Sequence, residues 1–535
     1  LMSVNLVDAQ DPAYTPVPKV HADAVGRICV QDVNGRIKPV QTLATEVLRK
    51  ISKKDTYDGQ SATQVFLGMT FRPDHWQDVP VIWVRNEELR KKIGISGKYA
   101  AFTDFTSTGK NGDLLIKLES DQAIAFQTPE SRRNAYQKEV LKTYDKLNLL
   151  IQIFNKQTLK IFPIQGDVNN AWSSGTEPDL AQITTAIDSL SALQLLVAYE
   201  VTMRKGWQEN DWAGADNLIA QVNSYQREIA NSIMPSAVAV EVEISYNNQR
   251  ALNKLYRYYF LFGMLVLLIE IFFIVLSVRR EKAHKIFRIS ATVCIGVLAI
   301  WHAYALGGRW YISGHAPWSN GYEALTFIAF MSVLAGLIFS KGSRLTVGAS
   351  ALLGGILLMT AHHSNYDPNI SNLVPVLKSI WLNIHVAVIT GSYGFLGLGA
   401  ILGFITMMLH MFRSKRNVKS IDLSTLELTY ITEMTITIGL IMAAIGTFLG
   451  GVWANESWGR YWGWDAKETW ALVIVLWYAI LLHLRFIPGM KSKFLFSVLA
   501  MWSYWTVLMT FFGVNYYLSG LHSYAKGDAP PFPMW

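Results

Sequence analysis

Cysteine is scarce in this chain of 535 residues, which contains only Cys29 and Cys294. The two lie far apart in the sequence, and no CxxC motif occurs. A dithiol redox enzyme, a cysteine-based metal site and a disulfide framework are therefore excluded. No internal repeat or low-complexity tract occurs either.

Charged residues are also few. They make up 16% of the chain, against 51% hydrophobic residues and a mean hydropathy of +0.21. This composition is too apolar for an ordinary soluble enzyme. The net charge of +8 suggests nucleic acid at first sight. Many basic residues of the second half, however, form short clusters between apolar runs, a pattern that orients membrane helices, so no nucleic-acid partner is expected.

Long apolar runs fill the second half of the chain. Each is near or above the ~20 residues that a helix needs to cross ~30 Å of hydrocarbon. They predict a mainly α, polytopic helical membrane protein with about eight spans. The predicted spans are 257–278, 288–308, 321–340, 345–362, 380–412, 430–453, 467–486 and 494–519.

The loops between these runs alternate in charge. Basic clusters follow the first, third, fifth and seventh runs, and the positive-inside rule makes these loops cytoplasmic. The clusters are Arg279, Arg280, Lys282 and Lys285; Lys341 and Arg344; Arg413, Lys415, Arg416 and Lys419; Arg485, Lys491 and Lys493. The N-terminal domain, the loops 309–320, 363–379 and 454–466, and the C-terminal tail are then predicted to lie outside.

Residues 1–250 are predicted to form a soluble extracytoplasmic domain of mixed, mostly helical structure, and residues 251–535 the membrane domain. Alternating apolar residues around Asn34 and Gly35 predict a β-hairpin. From about residue 134, apolar residues recur every three or four positions, which predicts amphipathic helices. The chain opens with LMSVNLVDAQ and has no signal peptide, so we expect the native protein to extend upstream.

Tryptophan is concentrated in the segment WANESWGRYWGWDAKETW at residues 453–470. Five of the chain's 18 tryptophans lie there: Trp453, Trp458, Trp462, Trp464 and Trp470. An aromatic belt at the membrane interface is the simpler explanation, but a belt would be spread over every loop on that side. Flat indoles, with Gly459 and Gly463 allowing close approach, instead favour a surface on which a planar macrocycle such as haem stacks.

Asp465 and Glu468 lie where the seventh predicted span begins. Their spacing fits a capping box, in which the aspartate caps the helix and the glutamate reaches back to the backbone. A direct contact between Asp465 and a ligand is the alternative. Arg460 and Lys467 are candidates for binding haem propionates, although basic residues are common at membrane interfaces without such a role.

Histidine is the next functional signal, because ionisable groups in a membrane are costly and usually functional. Six are predicted near the outer face: His302, His315, His362, His363, His385 and His522. His385 and His522 are predicted at one depth, level with the tryptophan segment, and histidine is a usual axial ligand of haem iron. A single interfacial histidine is more often a polar anchor. His483 lies roughly 24 Å further along span seven, as an anchor or as a ligand of a second haem.

The motif WGxYWxWDxKE, a histidine that opens an earlier span and LHSY after the last span resemble the WWD-domain family of haem-handling proteins. The resemblance is strongest to the fused CcsB–CcsA cytochrome c synthetases of the System II pathway and covers residues 255–525. It implies that the segment 453–470 binds haem b outside, between the axial ligands His385 in WLNIHV and His522 in GLHSY. It also implies that His483 ligates haem in the membrane, with a partner from a CcsB-like part not present in this sequence.

The activity that the resemblance implies is that of a cytochrome c synthetase, or haem lyase, of the bacterial inner membrane. Such a protein exports or receives haem, holds it at the periplasmic face and joins its vinyl groups to the CxxCH thiols of apocytochrome c. Haem, apocytochrome c, membrane lipid and a thiol-reducing partner are the expected partners. No catalytic side chain is predicted, because the protein's work would be positioning.

Other functions stay open at the level of the sequence, including those of the System I ligase and of the haem-delivery subunit, although the large N-terminal domain disfavours the small delivery subunit. A haem transporter or chaperone would deliver haem to a separate ligase, and the sequence does not distinguish it from a synthetase. A haem-b electron carrier would usually hold two stacked bis-histidine sites inside its bundle. The predicted spans contain too few mid-membrane histidines for that arrangement.

Overall fold

The structure is a computed structural model and describes residues 14–108, 114–129, 132–177, 191–277, 281–363, 366–373 and 377–518. The chain divides into two units, Leu1–Asn247 and Asn248–Trp535. Both are mainly helical, and the described strands all belong to the first unit. The predicted fold class, a polytopic helical membrane protein with a mixed N-terminal region, is confirmed.

The first unit combines short helices with small antiparallel strand pairs. Its helices are α1 (Lys19–Arg27), α2 (Val40–Ser52), α3 (Ala62–Phe71), α4 (Pro73–Trp76), α5 (Glu87–Ile93), α6 (Glu119–Gln127), α7 (Ala135–Phe154), α8 (Ala192–Glu209), α9 (Ala213–Ile229) and α10 (Ala237–Gln249). Its strand pairs are Cys29–Gln31 with Ile37–Pro39, Thr56–Tyr57 with Gln60–Ser61, Ile82–Trp83 with Tyr99–Ala100, Thr106–Thr108 with Leu114–Ile116, and Phe162–Pro163 with Trp172–Ser173.

The predicted hairpin around Asn34 and Gly35 is confirmed by the first strand pair. Its connection is a five-residue loop, 32–36. The Asp32 carboxylate accepts hydrogen bonds from the backbone N–H groups of Asn34 and Arg36, at 2.8 and 3.0 Å. The aspartate thus supplies acceptors for two N–H groups of the loop.

The predicted amphipathic helices of the first unit are also confirmed. Helix α7 contains VLKTYDKLNLLIQIF, and α9 contains LIAQVNSYQREI. Helix α7 begins at a capping box formed by Asn134 and Gln137. Its buried residues Val140, Leu147 and Leu150 recur at the spacing of one helix face and join the core of the unit.

The second unit is a bundle of long helices. They are α11 (Ala251–Val275), α12 (Glu281–Ser313), α13 (Gly321–Ile338), α14 (Thr346–His363), α15 (Ile380–Met411), α16 (Val418–Trp458), α17 (Ala466–His483), α18 (Lys493–Leu508) and α19 (Val514–Tyr517). A 3₁₀ turn, Leu484–Phe486, follows α17, and a π-helix, Met509–Gly513, joins α18 to α19.

Within the described residues, seven helices are long and apolar enough to cross a membrane, one fewer than the eight predicted. The exception is the predicted span 345–362, which forms α14 at the expected place but is not one of the seven. Two histidines end this helix, and glycine, alanine and serine fill much of its buried face. Helix α14 packs closely against α11 and α13, and close packing requires small side chains. Small side chains are less apolar than large aliphatic ones, which lowers the mean hydropathy of this helix.

Close helix contacts in this unit depend on glycine. A Cβ atom at Gly263 of α11 would lie 2.9 Å from the carbonyl oxygen of Gly348 in α14, and closer still to the backbone nitrogen of Leu352. We expect Gly263→Ala to force the two helices apart and to lower the free energy of unfolding by about 1–3 kcal/mol. Thermal unfolding in detergent measures the change. The control is Gly296→Ala in α12, where no atom lies within 4 Å; equal losses would contradict this explanation.

Candidate functional site

A cavity of about 250 Å³ lies at one end of the helical bundle. Its walls are the segment Trp318–Gly321 with the start of α13, the first turns of α15, the last turns of α16, the loop and first turn that open α17, and the π-helix with Asn515. The charge pattern predicts that these helix ends face outside. Apolar side chains form most of the wall, so the cavity suits a largely apolar ligand held by a few polar groups.

His385 lines this cavity, which we name the His385 cavity. Its Nδ1 lies 2.6 Å from the carbonyl oxygen of Gly446 in α16. A carbonyl only accepts, so Nδ1 carries the proton and the lone pair of the neutral ring is on Nε2. A backbone acceptor of this kind is what usually orients a histidine that ligates a metal.

Gly450 makes room for the His385 ring. A Cβ atom at this position would lie 2.7 Å from Cε1 of His385 and 2.9 Å from its Nδ1. Any larger residue at this position would therefore displace the imidazole. One turn of α16, from Gly446 to Gly450, thus provides both the acceptor and the space that set the orientation of the ring.

The five tryptophans of the segment 453–470 do not all line the His385 cavity, although the rings of Trp462 and Trp464 are in contact at 5.8 Å. Trp453 is 1% exposed in α16 and lies with its ring 4.8 Å from that of Trp458. Trp453 and Trp462 line the His385 cavity. Trp464, with a φ of 56°, is 71% exposed, and Trp470 is half-buried in α17. Neither these two nor Trp458 belongs to the described wall of the cavity.

The predicted loop 454–466 begins later in the structure than the sequence indicated, because residues 454–458 are helical. Helix α16 continues to Trp458, where Gly459 ends it with a left-handed φ of 71°. The predicted loop begins where the apolar run ends, and the residues after Trp453 are mostly polar. They are compatible with a helix that continues beyond the apolar layer, since helix formation does not require apolar side chains.

The predicted capping box at the start of α17 is confirmed. The Asp465 carboxylate accepts from the backbone N–H of Lys467 at 2.9 Å, and Glu468 accepts from the backbone N–H of Asp465 at 3.2 Å. Glu468 also accepts from the N–H of Gly463 at 2.7 Å. Lys467 and Glu468 line the His385 cavity, whereas a contact between Asp465 and a ligand stays a prediction.

The other histidines lie elsewhere. His483 is exposed at the far end of α17, where its Nδ1 bonds the Ala479 carbonyl oxygen at 2.7 Å. It is thus one helix length, roughly 25 Å, from the cavity end of α17. His302 is buried between the rings of Tyr259 and Phe330. His522 lies outside the described residues.

His315, His362 and His363 lie nearer the cavity end but not in its described wall. The ring nitrogens of His315 contact the carbonyl oxygens of Ala316 and Ser371. His362 and His363 end α14 beside the ring of Tyr256. Of the five described histidines predicted near the outer face, His385 alone lines the cavity.

Protein side chains alone do not form a metal site in the described part of the chain, where no three His, Cys, Asp or Glu residues come together. A single oriented imidazole suits a metal that brings its own ligands. Haem iron is of this kind, because its macrocycle fills four positions and leaves axial ones for the protein.

Sequence reasoning missed a buried ion pair behind the cavity wall. Nε of Arg309 lies 2.7 Å from Glu323, and both side chains are 1% exposed. Arg309 also donates to the carbonyl oxygens of Pro368 and Asn369, and Glu323 accepts from the backbone N–H of Ser319. Glu323 within an apolar run was the available signal, because Arg309 lies just beyond the predicted end of its span.

The π-helix and Asn515 were also missed. The π-helix Met509–Gly513 is one wall of the cavity, where it places Thr510 and Phe511. Asn515 follows, and its side-chain oxygen is buried without a hydrogen-bond partner in the described part of the chain. Single π-helical turns occur often at functional sites, but an apolar sequence does not reveal them.

Comparison with known proteins is consistent with this site. A family described as "Cytochrome C assembly protein" matches residues 318–522, a range that contains every wall residue of the His385 cavity. The chain is 38% identical over 508 residues to the protein NrfI of Wolinella succinogenes, covering 95% of this chain and 55% of NrfI. It therefore spans about half the length of that relative.

Shorter relatives match the second unit. The cytochrome c biogenesis protein CcsA of Prochlorococcus marinus (strain MIT 9301) is 35% identical over 242 residues, which cover 40% of this chain and 78% of the relative. The protein of the same name from Synechococcus sp. (strain CC9605) is 34% identical over 244 residues, covering 40% of this chain and 80% of the relative.

Proposed function

Because the chain belongs to the cytochrome c assembly family of the CcsA type, we propose that it is a cytochrome c synthetase that attaches haem to apocytochrome c. Membership of this family gives the chain a role in cytochrome c biogenesis. The lyase reaction itself is what we propose. In this reaction haem b is a substrate that the His385 cavity holds while an acceptor polypeptide approaches.

The observation that carries the proposal is the orientation of His385 in a cavity walled by indoles. The Gly446 carbonyl directs the proton of a neutral ring to Nδ1, and we assign Nε2 as the ligand of haem iron. The half-buried Trp462 gives the apolar wall aromatic surface for a macrocycle, and the buried Trp453 supports that wall. Lys467 lies in the same wall and can neutralise a propionate. His522 is proposed as the second axial ligand from the family likeness.

The chemistry requires no protein nucleophile. Each cysteine thiol of the acceptor adds across one vinyl double bond: sulfur bonds to the carbon next to the ring, and the thiol hydrogen passes to the terminal carbon. Atoms and electrons balance without an oxidant or a reductant. The contribution of the chain is to hold the two partners in reacting geometry and to exclude competing approach, an effect of proximity and orientation.

The remaining assignments are part of the same proposal. The cavity end faces the periplasm of a bacterial inner membrane, as the charge pattern predicts. His483, at the opposite end of α17, serves haem on its way through the membrane. A thiol-reducing partner keeps the two acceptor cysteines in the reactive form, because a disulfide has no hydrogen to add.

The test is holocytochrome c formation in a bacterial host that lacks its own maturation machinery. We expect the protein to yield cytochrome c with covalently attached haem, detected by haem staining after denaturing electrophoresis. Trp462→Ala should lower both the yield and the haem retained on purification, because Trp462 lines the cavity. The matched control is Trp502→Ala in α18, which removes an indole that is 65% exposed and outside the described cavity wall.

Two results would count against the proposal. A protein that retains haem but never yields holocytochrome would be a transporter or chaperone that delivers haem to a separate ligase. Equal losses from Trp462→Ala and Trp502→Ala would indicate that the tryptophan segment is an aromatic belt at the membrane interface.

A further inference from the structure

A buried acid–base pair lies in the membrane unit, far from the His385 cavity. Glu270 of α11 and His284 of α12 are 1% and 6% exposed, and Nδ1 of His284 lies 3.9 Å from a carboxylate oxygen of Glu270. Trp310, in the last turn of α12, contacts Trp318 of the cavity wall. His284 lies 26 residues before Trp310, or about 39 Å along the helix. The pair, which we name the Glu270 pair, is therefore at the opposite end of the bundle.

The carboxylate of Glu270 accepts no hydrogen bond within the described residues, and both of its oxygens are buried. The ring of Phe273 packs edge to face on His284, with centroids 4.4 Å apart, so the surroundings of the pair are partly aromatic. Burying a charge is costly unless the charge is both paired and hydrogen-bonded. A contact at 3.9 Å supplies the pairing without the hydrogen bond. The Glu270 pair is therefore suited to carry one proton.

The charged residues around the pair also make the state without this proton accessible. Arg288, one turn after His284, and Arg344, which precedes α14, attract an ionised Glu270. Both arginines also attract Glu427 of α16. With both glutamates ionised and His284 neutral, the five groups carry two negative and two positive charges, which cancel. Binding of one proton then gives this cluster a net charge of +1.

A purely structural contact between helices looks different in the same unit. Arg309 and Glu323 meet at 2.7 Å, and Glu323 also accepts a hydrogen bond from the backbone N–H of Ser319. Glu270 accepts no such bond from the described part of the chain. Ionisable groups within membrane spans typically mark proton relays and substrate pathways. A proton is also the one ligand that a site without a cavity can take up.

The charge of the cluster identifies what the proton accompanies. Haem b carries two propionates, and the proposed function brings haem into the membrane at the end of the bundle where His483 lies. One propionate offsets the charge that one proton adds. Each of the two ligands therefore strengthens the binding of the other, because coupling between two sites is reciprocal.

We propose that the Glu270 pair is a proton-binding site of the membrane unit, and that it takes up a proton together with haem. Glu270 holds the proton on a carboxylate oxygen, and His284 exchanges it with the inner end of the bundle. No other bond forms or breaks. The proton site stands on the contacts of Glu270 and His284, whereas its coupling to haem rests on the proposed function.

Infrared difference spectroscopy of haem-free protein tests the proton site. As the pH is lowered, the C=O stretching band of a protonated buried carboxyl should grow in the wild type and be lost in Glu270→Gln. Glutamine has the shape of the neutral acid, so this variant should fold. The matched control is Glu427→Gln, which changes a carboxylate near the same two arginines and should keep the band. A band that persists in Glu270→Gln, or that does not change with pH in the wild type, would overturn the site.

Proton uptake during haem binding tests the coupling. A pH-indicator dye in weakly buffered detergent solution records the protons taken up when haem is added. Glu270→Gln should take up about one proton per haem fewer than the wild type, and Glu427→Gln should match the wild type. Equal uptake by the wild type and Glu270→Gln would overturn the coupling. If this difference is present but no thioether forms, the lyase assignment fails and the proton site stands.

Discussion

Replacing His385 by alanine is expected to open one axial position on the bound haem and to lower holocytochrome formation by at least about 10- to 100-fold. Loss of a residue that merely orients a metal ligand often costs that much, so loss of the ligand itself should cost no less. The absorption spectrum should change from six-coordinate to five-coordinate or mixed. Imidazole in the buffer should restore the six-coordinate form, because alanine leaves a space of the right shape beside Gly450.

Two further variants separate ligation from folding. His410→Ala removes a histidine from the opposite end of the same helix and should leave the spectrum unchanged. Gly450→Ala keeps His385 but forces its ring away from the Gly446 carbonyl, so it should shift the spectrum in a folded protein. A normal six-coordinate spectrum in the His385 variant would show that another residue ligates the iron.

The second large effect is expected from the buried pair of Arg309 and Glu323. Arg309→Met leaves a buried carboxylate without its partner, and Glu323→Gln leaves a buried guanidinium without its counter-charge. Each single change should lower the free energy of unfolding by about 3–5 kcal/mol. The wall of the His385 cavity should loosen as well, because Glu323 also holds the backbone of Ser319. Thermal unfolding of haem-free protein in detergent measures the loss.

A double-mutant cycle shows how much of this loss belongs to the pair. With both charges removed, the penalty for an unpaired charge disappears and part of the stability should return. Recovery should be incomplete, because the carbonyl oxygens of Pro368 and Asn369 still lose the donors that Arg309 gave them. Strictly additive losses would mean that the two residues act separately and that the short contact contributes little.

The features that sequence predicted well are those set by local pattern. The lengths of the apolar runs predicted the membrane spans, and the turn residues predicted the hairpin. The spacing of Asp465 and Glu468 predicted the start of α17. Each depends on residues a few positions apart, which physical rules relate directly. The orientation of His385 depends instead on Gly446 and Gly450, some 60 positions away, and no local rule connects them.

The same limit explains why the tryptophan segment was only partly understood. Its composition indicated an aromatic surface, but burial decides which indoles are available, and burial depends on how α15, α16 and α17 pack. Trp453 lies in the wall of the cavity, whereas Trp464 is exposed.

The carboxylate of Glu468 ties the tryptophan loop to the helix that follows. One of its oxygens accepts from the N–H groups of both Gly463 and Asp465, so the loop and the capping box of α17 share one acceptor. Loop and helix end therefore form one cooperative unit of local unfolding, with a shared opening free energy. Although Trp462 lies in a loop, the bond from the neighbouring Gly463 to Glu468 attaches this loop to α17. The helix therefore restricts the movement of the indole.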